Sequence, residues 1–153
     1  VMHIMMEVPA LREMGGQLFT VISELFSNAL EHGVLKLDSA LKSTPAGFSE
    51  FYTLREQRLS ELTSGFIKIK MSNISEYGHS GTFSLSIEDS GEGFDHPEKF
   101  NHSKLQTNSL AQAQSKFSGR GIPLIDSLCH SLEYIGCGNK VIAEIHWPQK
   151  NTV

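Results

Sequence analysis

Ser23-Glu24-Leu25-Phe26-Ser27-Asn28-Ala29-Leu30-Glu31-His32-Gly33 is the stretch on which the reading of this chain turns. Glu24, Asn28 and His32 recur every four residues and project from one side of a helix. Leu25, Phe26, Ala29 and Leu30 occupy the flanks and are expected to pack. Toward the N-terminus, Leu18, Val21 and Ile22 continue the apolar positions at helical spacing, which predicts one buried stripe from about Gly16 to Leu35. A carboxylate one turn from an amide supplies two different tools. The amide oxygen is a hard ligand suited to Mg2+, and the carboxylate can accept a proton from an attacking hydroxyl or water. Taken alone, the pattern also describes an ordinary solvated polar face.

Two further constellations lie downstream. Ser86-Ile87-Glu88-Asp89-Ser90-Gly91-Glu92-Gly93-Phe94 places a DxGxG at the end of a predicted strand. Asp89 there can accept a hydrogen bond at the sheet edge, for instance from an exocyclic amine, while Gly91 and Gly93 let a ligand approach the backbone. The same residues would serve in a simple turn. Ser118-Gly119-Arg120-Gly121-Ile122 opens a predicted helix. Backbone N–H groups at a helix N-terminus face phosphate oxygens readily, and Arg120 could add a charged contact. Its bland alternative is a hinge.

The rest of the chain supplies the frame. His3 to Val8 has strand character and stops at Pro9. Asp38 to Gly47 is rich in breakers, and a second helix is expected from Phe48 to Leu62. Phe48, Phe51, Tyr52, Leu59 and Leu62 lie roughly on one side of it, a face expected to pack over the sheet. The period then changes to two over Phe66 to Met71 and Thr82 to Glu88, predicting half-buried strands. Residues 95–118 are polar and read as a mobile loop with the length of a lid. A helix from Gly121 to Ser131 and strands over 132–135 and 140–147 complete the pattern. The expected class is α+β: a two-layer sandwich with a mixed, mostly antiparallel sheet and helices on one face.

Composition narrows the function classes. At 153 residues the chain is read as a single domain, 1–153, too short for two full cores. A formal net charge of −4 gives no electrostatic case for nucleic acid. No apolar run reaches the roughly 18 to 20 residues that span a bilayer. Cys129 and Cys137 fit two unpaired thiols in a reducing cytoplasm. The histidines show no HExxH spacing, which disfavours zinc. The chain opens on Val1 rather than Met, which reads as a piece of a longer regulator.

In this order (ExxxN on a helix, DxGxG after a strand, a polar lid, GxG opening a helix) the motifs resemble those of the GHKL ATPase superfamily. That superfamily includes gyrase, the heat-shock chaperones of the same fold, the mismatch-repair ATPases and the histidine kinases. The matching positions are Glu24 and Asn28, then Asp89, Gly91 and Gly93, then Gly119 and Gly121. The resemblance implies the Bergerat ATP-binding fold with ATP and Mg2+ as cofactors. It implies adenine recognition by Asp89, magnesium binding by Asn28, and an ATP lid over 95–118. Within the superfamily the helix is most similar to that of the anti-sigma-factor serine kinases of partner-switching systems, which carry E-x-x-x-N-A-x-x-H. That branch implies a serine/threonine protein kinase with Glu24 as catalytic base. Its partner would be an anti-anti-sigma protein of the STAS type, with a sigma factor and a homodimer as further expectations.

Three alternatives stand beside this one, the plainest being an α+β interaction domain whose three motifs are coincidence and which binds no nucleotide; the other two keep the nucleotide. The first of these two is an ATP-binding module that sequesters a sigma factor with little kinase activity. The second is the catalytic half of a histidine kinase, disfavoured because those enzymes usually place His before the glutamate, where this chain has Ser23.

Overall fold

The structure is a computed structural model, described over residues 9–76, 80–94 and 121–147. The expected strand His3 to Val8, the expected lid 95–118, and Gly119 with Arg120 lie outside the described residues. After a short helix α1 (Pro9–Glu13), helix α2 runs over Gly15–Asn28. Its Leu18, Val21 and Leu25 are buried at the predicted spacing. Each such side chain contributes roughly 1.5 to 3 kcal/mol by leaving water. Phe26 departs from expectation and is 40% exposed. One residue turns a helix by about 100°, which carries Phe26 past the buried stripe to the outer side.

Helix α2 does not end at Asn28 but widens into a π-helical turn, Ala29–Val34. Leu35 N–H donates to the Leu30 carbonyl, five residues back, at 2.8 Å. Lys36, at φ 51°, then breaks the helix. A 3-10 turn (Ser39–Ser43) follows, started by Asp38, whose Oδ1 accepts from Ala40 N–H at 2.8 Å. Helix α3 spans Pro45–Glu61. Thr44 Oγ1 caps it by accepting from Gly47 N–H at 3.1 Å, and Pro45 suits its first turn.

The second helix does not pack over the sheet as expected. Phe51 alone of its large apolar residues is fully buried, in a small core with Leu35 and Leu37, against which Leu30, Val34, Leu41 and Leu54 pack. Phe48, Tyr52, Leu59 and Leu62 are each more than a third exposed. Helix α3 and the 3-10 turn therefore form a unit seated on the π turn.

Four strands make the sheet: β1 (Ile67–Glu76), β2 (Ser80–Asp89), β3 (Ser131–Ile135) and β4 (Lys140–Trp147), in the order β1-β2-β4-β3. Every pairing among the described residues is antiparallel, so the parallel component of a mixed sheet is not among them. Alternation is strict on β2 and β4. Phe83, Leu85 and Ile87 with Val141, Ala143, Ile145 and Trp147 turn to the core. Leu132 and Tyr134 join them from β3. Helix α4 (Gly121–Leu128) covers the same face through Ile125. It ends three residues earlier than expected, because β3 begins at Ser131. Gln17 Nε2 donates to the Leu128 carbonyl and ties α2 to α4. The fold is thus α+β, with an antiparallel sheet and its main helices α2 and α4 on one face. No helix among the described residues is long and apolar enough to cross a membrane.

Candidate functional site

Between α2, the ends of β2 and β4, and the start of α4 lies a cleft of about 810 Å3. Glu24, Asn28, Asp89, Gly93 and Gly121 all line it, so described members of the three sequence constellations meet in space, while Gly91 stays outside the lining. Helix α2 forms one long wall. Gly33 is nine positions past Glu24, four along α2 and five into the π turn, and each of these residues marks one end.

At the Gly33 end stands Asp89, 8% exposed at the last position of β2. Its backbone is fixed from β4's approach: Asp89 N–H donates to the Asn139 carbonyl, and Asn139 Nδ2 donates to the Asp89 carbonyl, both at 2.9 Å. Its carboxylate Oδ1 accepts from Gly91 N–H at 2.7 Å. Burial raises the Asp89 pKa above the ordinary carboxylate value, the Gly91 bond partly offsets this, and the Glu88 charge adds to the rise. Gly33 closes against this carboxyl so tightly that a Cβ there would lie 2.3 Å from Oδ1. Gly93, at φ +77°, lies against the Cys137 carbonyl, to which Phe94 N–H donates at 2.8 Å. The DxGxG loop is thereby held between the π turn and the β3–β4 turn.

At the other end Gly121 opens α4 beside Glu24. A Cβ on Gly121 would lie 2.6 Å from Glu24 Oε2. Helix α4 has no acidic residue in its first turn, which leaves its N-terminal N–H groups favourable to an anion. Asn28 lies between the two ends. Its Nδ2 is buried and has no hydrogen-bond partner among the described residues. Gly119 and Arg120 fall outside the described residues.

His32 has a structural task. Its Nδ1 lies 2.7 Å from the Leu37 carbonyl, which can only accept, so Nδ1 carries the proton. The bond fastens the exit of the π turn.

Other cleft residues were not singled out by sequence reasoning. Glu31, 9% exposed, receives Lys42 Nζ at 2.8 Å and faces Arg55 Nε at 3.4 Å. Lys36 reaches Glu92 at 2.5 Å across the cleft mouth. The one available signal was position: Glu31 is seven residues after Glu24, hence on the same helical side. Among the described lining residues, Lys36, Lys42 and Lys140 meet Glu24, Glu31, Asp38, Asp89 and Glu92. Three cations against five carboxylates leave a surplus of two negative charges.

Comparison of the chain with family models, with curated proteins and with solved structures gave no match.

Proposed function

We propose that the chain is a Mg-ATP-binding domain of the Bergerat (GHKL) type and a serine/threonine protein kinase acting on a small partner protein. The observation that carries this reading is the convergence of Glu24, Asn28, Asp89 and Gly121 on one cleft of about 810 Å3, a volume in the range of ligand sites. Asp89 accepts a hydrogen bond from the exocyclic amine of adenine. Ile87, Val141 and Tyr134 line the same cleft and offer the base an apolar floor.

No group of three or more His, Cys, Asp or Glu side chains among the described residues is placed to hold a metal unaided. Asn28 would share a magnesium ion with phosphate oxygens, the usual habit of that ion. Its buried, unpartnered amide nitrogen fits that role, since no hydrogen bond from Nδ2 opposes turning the oxygen toward a ligand. When bound, the ion neutralises phosphate charge. The N–H groups opening α4 receive phosphate oxygens. Glu24 takes the proton of a partner hydroxyl as that oxygen bonds to the γ-phosphorus. The bond to the β–γ bridging oxygen breaks, and ADP departs. The resemblance of residues 23–33 supports a STAS-type anti-anti-sigma protein as partner, with a sigma factor behind it; the cytoplasmic setting rests on the cysteine usage.

Calorimetry with ATP and Mg2+ on the unmodified chain, Asn28→Ala and Asp89→Asn tests the site. Binding lost or strongly weakened in both variants supports it. Absence of binding at millimolar ATP withdraws the reading. Incubation with labelled ATP and a candidate partner then tests transfer. An acid-stable phosphate identifies a serine or threonine ester, an acid-labile one a phosphohistidine, and binding without transfer a sequestering module.

A further inference from the structure

The wall of the cleft formed by residues 31–55 carries a charge arrangement unlike the rest of the site. Lys36 and Lys140 each face one carboxylate, Glu92 at 2.5 Å and Glu88 at 3.9 Å. Glu31 faces two cations, Lys42 and Arg55, and its side chain is only 12% exposed. Within this cluster one buried negative charge meets two positive ones, an excess of one positive charge in a cleft whose lining is otherwise short of cations.

The surplus is held in place. Lys42 lies on the 3-10 turn capped by Asp38, and its Nζ sits 4.1 Å over the Phe51 ring. Arg55 approaches Glu31 from α3, and its Nε is buried without a hydrogen-bond partner among the described residues. If Lys42 turned to another anion, Arg55 would still neutralise Glu31. Lys42 lines the cleft, whereas Arg55 does not. The cation that can leave Glu31 without stranding it is therefore the one that lines the cleft.

Its place along the cleft follows from the helix. Glu31 lies three residues past Asn28 toward Gly33, about one turn from the amide. A nucleotide with its base at Asp89 and terminal phosphates at Asn28 and Gly121 would bring its sugar and α-phosphate to this point. We propose that Lys42, held between Glu31 and Phe51, is an anion subsite that takes the α-phosphate of the bound nucleotide. The proposal rests on the nucleotide reading of the cleft.

Titration calorimetry with adenosine, AMP and ADP on the unmodified chain, Lys42→Met and Lys42→Arg separates the two. A charge-assisted contact predicts that Lys42→Met weakens AMP and ADP roughly tenfold, leaves adenosine unchanged, and that Lys42→Arg restores most of the loss. Unchanged adenosine binding also reports an intact fold. AMP binding equal in Lys42→Met and the unmodified chain would overturn the subsite and leave the nucleotide site standing. Adenosine weakened as much as AMP would overturn it too, since the lysine would then act through the fold. An unmodified chain that binds neither adenosine nor ATP removes the nucleotide reading and this proposal with it.

Discussion

Gly33→Ala is the sharpest perturbation of the cleft, because a single methyl group would meet a single buried carboxyl. The new Cβ would stand 2.3 Å from Asp89 Oδ1, 2.4 Å from Cγ and 2.8 Å from Oδ2. An ordinary carbon–oxygen contact needs about 3.3 Å, so the carboxyl must retreat by about 1 Å. It cannot do so freely, because Oδ1 is bound to Gly91 N–H at 2.7 Å. Losing a hydrogen bond to a charged group costs about 1.5 to 3 kcal/mol, and strain from the added methyl adds about 1 to 3 kcal/mol. Alanine returns about 1 kcal/mol through its helical preference over glycine. The φ of Gly33 is not positive, so the backbone adds no penalty of its own. A net loss of about 1.5 to 5 kcal/mol would lower the melting temperature by roughly 3 to 20 °C for a domain of this size. Nucleotide affinity should fall roughly 10- to 100-fold with the misplaced hydrogen bond to adenine. Thermal denaturation and ATP calorimetry read both effects. A variant that melts and binds ATP like the unmodified chain would refute the claim that Gly33 sets the position of Asp89.

Gly121→Ala should separate stability from chemistry. Its Cβ would meet only the far end of Glu24, a flexible side chain, so the melting temperature should shift by no more than that of a surface change, about 0.5 kcal/mol. Phosphoryl transfer to a partner should nevertheless fall tenfold or more as the displaced base loses alignment, about the low end of general-base effects. Asp89→Asn should stabilise the fold at neutral pH while removing ATP binding. The Asp89 pKa is raised by burial, so its contribution to stability is full below the ordinary carboxylate value, where it is protonated, and is lost as pH rises through the folded value. The variant's advantage in melting temperature should therefore vanish on acidification toward pH 3 and grow toward pH 7. Phe51→Ala removes a side chain that is 0% exposed, a change worth about 3 to 5 kcal/mol. The loss should fall on the small core of residues 30–54, with limited proteolysis cutting there before the main core opens.

The parts of the fold that could be read from the sequence are those governed by periodicity. The α2 stripe of Leu18, Val21 and Leu25 and the alternation of β2 and β4 are local patterns, and each lies where the sequence predicts. Spacing does not say what an apolar face meets. Phe48, Tyr52 and Leu59 share a side of α3, but the 3-10 turn packs on a neighbouring side, so only Phe51 is enclosed. The π turn was equally illegible. Its i+5 bond between Leu35 and Leu30 leaves no mark in the apolar pattern, although it carries Gly33 to Asp89. The residues proposed for the chemistry were picked out singly, through motif and residue type. Their contacts were not, since Gly33 and Asp89, or Glu24 and Gly121, are joined only by the tertiary fold.

Those two contacts have a common logic. At each end of the cleft a carboxylate is backed by a glycine, Asp89 by Gly33 and Glu24 by Gly121, at distances no other residue would permit without movement. A carboxylate needs no such crowding in order to be solvated, and burying Asp89 raises its pKa at a cost to stability. Helix propensity alone would favour alanine over glycine at either helical position. Fixing one carboxylate at each end of the cleft makes sense if a ligand must touch both. A nucleoside triphosphate is such a ligand, but its phosphates would enter a wall with two surplus negative charges. Repulsion of that kind requires a compensating cation in the cleft. On the proposed reading Asn28, midway along the wall and with no hydrogen bond from Nδ2 among the described residues to fix its amide, would hold it through its side-chain oxygen.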